Sequence, residues 1–365
     1  LQTLQTLQTQ QTLQTSQTSP TDLWLPADDR TINTLWLRYC AETGRCPSVN
    51  TFWQAINSNA IPPYSPVEDY LAHLPPWDGA DHIAALAHRV TVSGDSDLWA
   101  LCLRKWFVAL VASMQRPGEA VNQAALILLG RQGIFKSTFF RHILPPELRP
   151  YYLEKSNSTR MNKDDKLSLT EYILIGLEEM DSMGAKELNQ LKALMTTAVI
   201  NERAAYAKIK TKRPHLASFC GTGNNIELLT DPTGNRRFLT FEALAIVNPH
   251  THPLPYPQLY AQALHLIGQG YEHWLSHDEI ARLTEHQRHF LAHSDELELL
   301  LRYYAKPDHE AFGTWVEYAD ILHYIVQQER YNISGAKLQQ ALKQANFDRK
   351  RSNGKTQYFV QTVEL

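Results

Sequence analysis

The stretch Leu126–Phe140, LILLGRQGIFKSTFF, decides the fold. A continuous apolar run ends at Gly130, a glycine-containing turn follows, and Lys136 and Ser137 then lead into the apolar start of a helix. Strand, glycine turn, Lys-Ser and helix follow one another in this order in a phosphate-binding P-loop. Backbone N–H groups of such a loop face the phosphates, the lysine reaches the outer phosphates and the hydroxyl ligates Mg²⁺. The stretch predicts an α/β fold with a P-loop NTPase core and a parallel sheet.

One position departs from the pattern G-x-x-x-x-G-K-[ST], because Phe135 stands where the pattern has glycine. Glycine serves there since the backbone approaches phosphate closely, sometimes with positive φ, and phenylalanine resists both. We expect Gly133 to take over the close approach, with Phe135 packing sideways onto the helix start. The alternative is an ordinary strand-to-helix turn. The candidate ATP-binding residues of the loop are Gly130, Gly133, Lys136, Ser137 and Thr138.

Composition indicates a globular protein of two or three domains. Of the 365 residues, 43% are hydrophobic and 20% are charged, which is enough for a sizeable core. The net charge of −3 gives no global basic character, so any contact with nucleic acid must come from local patches. The sequence has no apolar run long enough to span a membrane and no signal peptide, and the four cysteines are scattered. We therefore expect a cytoplasmic protein without a membrane partner.

Changes in sequence character divide the chain into five predicted segments. Repeats of Leu-Gln-Thr without charge cannot build a core and read as a tail or linker. Trp99 and Trp106 fall on the apolar side of a long helix, Asp97–Gln115, where a core role is more common than a ligand platform. The predicted segments are a low-complexity tail or linker at 1–22, a helical N-terminal region at 23–115, the P-loop core at 116–247, a helical lid or linker at 248–300 and a winged-helix-like domain at 301–365.

A second chemical signal lies in Tyr172–Asp181, YILIGLEEMD. An apolar strand ends directly in two acids, and acids at the carboxyl edge of a parallel strand beside a P-loop hold Mg²⁺ and activate water. We assign Glu178 to the water shell of the metal and Glu179 to polarising the attacking water. The alternative is a solvated acidic patch.

Two further strands deliver polar residues. Leu216–Asn225, LASFCGTGNN, ends in a turn that brings Thr222, Asn224 and Asn225 to the same edge of the sheet, where a neutral polar residue can bind the attacking water or the γ-phosphate. The alternative is that these residues only form the turn. Asp231–Phe238, DPTGNRRF, presents Arg236 and Arg237 on a turn before the next strand. An arginine on such a loop can stabilise transition-state charge, in cis or from a neighbour, although a structural ion pair is an equal alternative.

Basic residues cluster at two other places. The first cluster consists of Tyr206, Lys208, Lys210, Lys212 and Arg213, an aromatic side chain among cations that resembles a nucleic-acid contact surface. A solvated basic loop is the alternative. The second cluster consists of Arg349, Lys350, Arg351 and Lys355 around Asn353-Gly354, a strong hairpin turn signal.

Two helices, Tyr318–Arg330 and Ser334–Ala345, precede this hairpin. Helix, helix and a hairpin with a basic tip predict a winged-helix-like module with a helix in the DNA major groove, although such modules also dock proteins. Between this module and the core, Leu259–Ser276 and Asp278–Ser294 are predicted as helices.

The ordered motifs GRQGIFKSTF, LEEMD, NERAAY, FCGTGNN and DPTGNRRF resemble the virulence-associated protein E (VirE/VapE) family. This family comprises P-loop ATPases of mobile elements and phages, similar to superfamily III helicases and phage primase-helicases. The resemblance covers roughly Ser65–Phe241 and includes the segment Pro75–Gly79, PPWDG.

The resemblance implies a helicase-like ATPase that uses ATP and Mg²⁺, forms a homo-oligomeric ring and works on single-stranded or forked DNA, often beside a primase. Matched by residue, Lys136 and Ser137 resemble the phosphate and Mg²⁺ residues, and Asn224 resembles the sensor asparagine. Arg236, or failing that Arg237, resembles the arginine finger. Phe135 leaves a second class open, a nucleotide-binding regulator or scaffold that does not hydrolyse, and a small-molecule kinase is a distant third.

Overall fold

The computed structural model of the chain describes residues 28–60, 64–155, 163–180, 183–203, 209–224, 236–287, 295–307, 313–329, 333–352 and 354–363. The described residues up to Asn224 and from Arg236 to Ile280 form one compact unit. Those from Ala281 onward form a second compact unit. No described helix is long and apolar enough to cross a bilayer.

The helices of the chain are short except for one of 20 residues. They are α1 (Asp29–Thr43), α2 (Val49–Ile56), α3 (Pro66–Ala72), α4 (His82–Ala87), α5 (Ser96–Gln115), α6 (Lys136–Arg141), α7 (Lys163–Ser168), α8 (Ala185–Met195), α9 (Tyr256–Gly268), α10 (His277–His286), α11 (Asp295–Tyr303), α12 (Tyr318–Glu329) and α13 (Gly335–Gln344), with a 3₁₀ helix at Pro146–Tyr151.

The first eight strands belong to the first unit. They are β1 (Val90–Val92), β2 (Ala125–Leu129), β3 (Tyr152–Lys155), β4 (Leu174–Leu177), β5 (Val199–Glu202), β6 (Thr211–Pro214), β7 (Ser218–Gly223) and β8 (Phe238–Ile246). Six of them form one sheet in the order β1-β8-β2-β7-β4-β3, parallel throughout except for the edge strand β1. The predicted α/β fold with a parallel sheet is thereby confirmed. The remaining two, β5 and β6, form an antiparallel hairpin.

The long helix α5 anchors the sheet through its two predicted core tryptophans. Trp99 and Trp106 are both almost fully buried. The indole N–H of Trp106 donates to the carbonyl of Phe219 in β7 at 2.9 Å, and Trp99 meets Phe241 of β8 edge-on at 5.3 Å between ring centroids. A buried indole that satisfies its N–H on a strand fixes the helix against the sheet, so the core interpretation of both residues is confirmed.

The helix expected at Leu259–Ser276 is shorter than the sequence pattern suggested. α9 ends at Gly268, and Gly270 adopts a left-handed φ of 74°. The chain beyond the helix is held by the buried ammonium of Lys105, which donates to the carbonyl oxygens of Glu272 at 3.2 Å and Trp274 at 2.7 Å. A helical continuation would already satisfy such carbonyls, so this long-range lysine contact favours the extended path.

The second unit contains the last three helices and four strands, β9 (Tyr304–Ala305), β10 (Thr314–Glu317), β11 (Arg349–Ser352) and β12 (Lys355–Thr362). The sheet order is β10-β12-β11, and β9 also pairs with β12. Ser352 lies opposite Lys355, so the hairpin expected around Asn353-Gly354 is confirmed, although Asn353 itself lies outside the described residues. Gly354 supplies the positive φ of the turn, 79°.

Candidate nucleotide and magnesium site

The loop after β2 has three residues with positive φ. Gly130 has φ 136°, and a Cβ there would lie 2.4 Å from the carbonyl oxygen of Ala243, so only glycine fits. Gly133 has φ 83° with open space around it. Phe135 precedes α6 and itself adopts the left-handed region at φ 70° and ψ 23°. The backbone thus takes a glycine-like path at Phe135 despite the side chain, at a cost of about 1–2 kcal/mol.

Lys136 lies under this loop and is only 7% exposed. Its ammonium donates to the carbonyl oxygens of Gly130 at 2.7 Å and Arg131 at 2.8 Å, and to Oδ1 of Asn224 at 3.3 Å. The structure therefore brings the predicted phosphate lysine and the predicted sensor asparagine into contact. The loop carbonyls hold the ammonium beside the turn, within reach of an anion that the loop N–H groups would bind.

Glu178 is the acid that reaches the loop. Its Oε2 accepts a hydrogen bond from the hydroxyl of Ser137 at 2.9 Å and another from the hydroxyl of Thr222 at 2.8 Å. Its Oε1 is buried and accepts no hydrogen bond from the described part of the chain. A buried carboxylate oxygen without a partner is costly, and such an atom commonly belongs to a ligand site.

Sheet topology explains why these side chains meet. β7 lies between β2 and β4, and all three strands are parallel. Leu129, the last residue of β2, lies opposite Gly223, and Leu177, the last residue of β4, lies opposite Gly221. The loops after the three strands therefore leave from one edge of the sheet, where open α/β folds bind their ligands.

The donor set fits Mg²⁺. A hydroxyl and a carboxylate are hard oxygen ligands, and Mg²⁺ in nucleotide sites takes one or two protein oxygens and completes its shell with phosphate and water. Ser137 and Glu178 would hold it, because the Ser137 hydroxyl already donates to Oε2 of Glu178 and Oε1 has no hydrogen-bond partner among the described residues. Among the described residues no three His, Cys, Asp or Glu side chains cluster as a metal-binding group.

Glu179 and Thr138 flank the same site. Glu179 has a left-handed φ of 53° and an exposed position directly after Glu178. This conformation turns the chain sharply at the end of β4, so that consecutive acids face different surroundings. Thr138 is half-buried in the first turn of α6, and its carbonyl accepts from the backbone N–H of His142.

Arg236 and Arg237 lie at the opposite edge of the sheet. They precede β8, whose first residue, Phe238, lies opposite Ala125, the first residue of β2. The backbone N–H of Ala125 donates to the carbonyl of Arg237 at 2.7 Å. Because β2 has 5 residues, the P-loop begins about 15 Å further along the sheet. The structure therefore does not bring either arginine to Lys136 within one chain.

The two arginines instead line a cavity of about 420 Å³. Arg236 is exposed and Arg237 is half-buried, and neither forms an ion pair within the described residues. Lys105 also lines the cavity, but its ammonium pairs with Glu279 at 2.9 Å.

The hairpin β5–β6 carries the first basic cluster. Lys210 and Lys212 are exposed, and Arg213 is half-buried in β6 opposite Ile200 of β5. Ile209, beside them, is 77% exposed. Tyr206 and Lys208 lie outside the described residues. The described part of the cluster is thus a short antiparallel hairpin that carries two exposed lysines, Lys210 and Lys212.

The second basic cluster lies in the C-terminal unit. Arg349, Lys350 and Arg351 are exposed along β11, the edge strand of the sheet. Lys355 differs from them because its ammonium pairs with Glu317 at 2.8 Å. That ion pair raises the pKa of Lys355 and neutralises its charge locally. Three of the four predicted cations therefore remain without a carboxylate partner in the described chain.

Two buried ionisable side chains lie behind the site. Burial raises the pKa of the Cys220 thiol in β7 well above its usual value, and burial likewise raises that of the Tyr152 hydroxyl in β3. Cys220 is fully buried, so it remains a neutral thiol in the core and not a nucleophile.

Thr222 is the site residue to which the sequence assigned no role. The sequence predicts it at this edge of the sheet, but the formation of the Gly-Thr-Gly-Asn-Asn turn is by itself a sufficient reason for a threonine there. Its contact with Glu178 depends on β7 lying between β2 and β4, and that neighbour relation is not visible in the spacing of the motifs.

Comparison with known families and structures places this site in context. The family model described as Virulence-associated protein E-like domain matches residues 71–292, which include the P-loop, the acidic strand end, the hairpin and both arginines. No curated protein matches the chain.

Among solved structures, apo forms of the NrS-1 C-terminal region are similar to the chain. One is 12% identical, with a TM-score of 0.48, and the similarity covers 91% of this chain and 90% of that chain. Two others have TM-scores of 0.45 at 12% and 14% identity, with the same coverage of 91% and 90%. The family match extends over well over half of the 365 residues, so the chain belongs to the virulence-associated protein E-like family.

Proposed function

We propose that this protein binds ATP with Mg²⁺ at the P-loop and hydrolyses it as a DNA-directed, helicase-like ATPase. We further propose that it acts in the cytoplasm, in a replication system of the phage or mobile-element type. The observation that carries the proposal is the shared contact at Glu178, whose Oε2 accepts from both Ser137 and Thr222 while Oε1 lacks a hydrogen bond among the described residues. A carboxylate held in this way beside a P-loop lysine is suited to a metal–nucleotide complex.

In this proposal different groups of the loop bind different parts of the triphosphate. Gly133 and Thr138 supply backbone N–H groups, and Lys136 exchanges its loop carbonyls for the outer phosphates. Gly130, whose own N–H donates to the carbonyl of Gly223, lets the chain turn from β2 into the loop. Ser137 and Glu178 would hold Mg²⁺, which would supply positive charge to offset the negative charge on the transferred phosphoryl group.

Two further residues act on the attacking water. Glu179, exposed at the same sheet edge, polarises the water, and the amide of Asn224 orients it or the γ-phosphate. Asn224 already contacts Lys136, which supports a joint response of the two side chains to the terminal phosphate.

The proposed partners are DNA, further copies of the chain and a primase. The exposed lysines of the β5–β6 hairpin suit phosphate groups of single-stranded or forked DNA. Arg236 and Arg237 lie on the far edge of the sheet, which favours their supply to the nucleotide of a neighbouring copy in a ring.

A hydrolysis assay tests the proposal. Purified protein with Mg²⁺ and ATP should release phosphate, DNA should raise the rate, and Lys136→Ala should abolish it. Lys186→Ala is the matched control, because it removes an exposed lysine of α8 that lies outside the loop and should keep wild-type activity. Equal rates in wild type and Lys136→Ala, or rates indifferent to DNA, would count against a DNA-directed ATPase.

The same assay addresses the second candidate, a nucleotide-binding regulator that does not hydrolyse. Phe135 in the left-handed region favours this candidate, since its side chain occupies the place where glycine normally allows the loop to close on phosphate. ATP binding that promotes assembly without any phosphate release would select the regulator.

A further inference from the structure

The outer face of the C-terminal sheet carries an aromatic and basic surface outside the P-loop unit. In β12, Tyr358 and Val360 are buried in the hydrophobic core of the second unit. Because side chains alternate along a strand, Phe359 between them points to the opposite face. Trp315 of β10 lies directly opposite Phe359 in the ladder and therefore shares that outer face.

The two rings form an exposed aromatic pair. Their centroids are 5.1 Å apart with an interplanar angle of 42°, and Trp315 is 39% exposed. Phe359 is half-buried, and Gly313 lies so close to its ring that a Cβ at that position would meet the ring atoms at 2.4 Å. Phe359 is therefore the supporting wall, and the indole of Trp315 is the ring that solvent reaches.

A lysine covers that indole. The ammonium of Lys350 lies 4.1 Å from the centroid of the Trp315 ring, and Lys350 has no carboxylate partner in the described chain. Lys350 belongs to β11 and lies opposite Gln357, whose neighbour two residues on is Phe359, so all three strands contribute to the surface. The cation–π interaction of an ammonium with an exposed indole contributes roughly 0.5–1 kcal/mol. This is small enough for a base that stacks on the indole to displace the ammonium.

The charge around the rings selects an anionic partner. Arg349 and Arg351 flank Lys350 in β11, but by the same alternation they lie on the other face of the sheet, opposite Tyr358 and Thr356, so Lys350 is the β11 cation of this face. The acid that the ladder places on this face, Glu317, is neutralised by its ion pair with Lys355. An exposed indole beside a lysine without a carboxylate partner among the described residues suits a chain of bases and phosphates, because a base stacks on the ring and a phosphate pairs with the ammonium.

We infer that this outer sheet face, formed by Trp315, Phe359 and Lys350, is a binding platform for single-stranded DNA. An unpaired base stacks on Trp315, and the displaced ammonium of Lys350 moves to the adjacent phosphate. A duplex cannot use the platform, since its bases already stack on one another inside the helix. The inference rests on the proposed function, in which DNA is a partner of the chain. It assigns a second DNA-binding site in addition to the β5–β6 hairpin.

Binding of a labelled oligothymidylate to the full chain without ATP tests the platform. Trp315→Ala should weaken binding about tenfold, in keeping with the loss of one stacked base. Trp315→Phe keeps an aromatic ring and should retain most of the affinity. Lys350→Gln should weaken binding less and reduce the slope of log affinity against log salt by about 0.7. The matched charge control is Lys186→Gln, which removes an exposed lysine of α8 in the first unit and should bind like the wild type.

Three results would overturn the inference. The first is wild-type affinity in Trp315→Ala, and the second is an equal loss for duplex and single strands. The third is loss of self-association or of a protein contact in Trp315→Ala with single-strand binding intact, which would make the surface a protein interface.

Photocrosslinking of an iodouracil-substituted strand to the wild type provides evidence that does not depend on the folding of any variant. The crosslinked peptide should contain Trp315, and crosslinks confined to other peptides would contradict the platform. Lys136→Ala retains the whole platform, so it should bind the strand normally. A failed ATPase assay therefore leaves the outcome of this experiment unchanged.

Discussion

Replacement of Thr222 by valine removes one hydroxyl and keeps the shape of the side chain. In the structure that hydroxyl donates to Oε2 of Glu178 at 2.8 Å, and Thr222 is only 4% exposed, so water does not readily take its place. A hydrogen bond to a charged group contributes about 1.5–3 kcal/mol. Since Ser137 still donates to the same oxygen at 2.9 Å, we expect a loss near the lower limit, about 1.5 kcal/mol.

Urea unfolding measures this loss, with the fluorescence of the buried Trp99 and Trp106 as the signal of the first unit. Thr222→Val should lower the free energy of unfolding by about 1.5 kcal/mol in the wild-type background. In a Glu178→Ala background the hydroxyl has no carboxylate to bind, so the same substitution should cost much less. The double-mutant cycle then gives a coupling of about 1 kcal/mol or more. Additive effects of the two substitutions would refute the contact and the site built on it.

Three further predictions concern the loop, a buried histidine and the far edge of the sheet. Gly130→Ala should lower the free energy of unfolding by about 2 kcal/mol or more, because its Cβ would meet the carbonyl of Ala243 at 2.4 Å, and unchanged urea stability would contradict the loop geometry. Burial lowers the pKa of His215, whose Nδ1–H donates to the carbonyl of Thr197. As the pH falls, the unfolded chain therefore binds a proton at His215 before the folded chain does, and the free energy of unfolding should fall below a pH of about 6.5. Thermal unfolding at a series of pH values should show a smaller acid loss in His215→Asn, and an equal loss in both proteins would disprove this role. Arg236→Ala and Lys136→Ala subunits, mixed, should regain ATPase activity if the arginine serves a neighbour, whereas intact assembly without recovery would exclude supply in trans.

The sequence predicted the strands and loops that carry the site better than it predicted how these elements pack against one another. The apolar runs before Gly130 and Glu178 are local patterns, and both became buried parallel strands. The positive φ of Phe135 was not predictable, because tertiary packing of the loop overrides the reluctance of a phenylalanine to adopt it.

Strand direction and order account for the remaining differences. Arg236 and Arg237 precede β8, and only a parallel orientation of β8 puts them at the edge opposite the P-loop. The role of Thr222 likewise depends on β7 as the central neighbour of β2 and β4. Pairing between strands is a long-range property, so motif spacing along one chain does not reveal it.

In the C-terminal unit, too, the sequence predicted a local feature but not the long-range contacts. The Asn353-Gly354 turn signal correctly predicted the hairpin β11–β12, since turn chemistry is local. The pairing of Lys355 with Glu317, and the position of Lys350 over Trp315, join residues more than thirty positions apart in the sequence. These contacts decide which cations remain available for a ligand.

Calorimetric titration of ATP with and without Mg²⁺ tests the central claim most directly, namely that Lys136, Ser137 and Glu178 form one metal–nucleotide site. Mg²⁺ should tighten ATP binding to the wild type. In Glu178→Gln the affinity for ATP in the presence of Mg²⁺ should be about tenfold to hundredfold lower than in the wild type, while the variant still binds free ATP. Lys136→Ala should bind ATP weakly in both conditions. Identical ATP affinities and identical Mg²⁺ effects in the wild type and both variants would contradict the site.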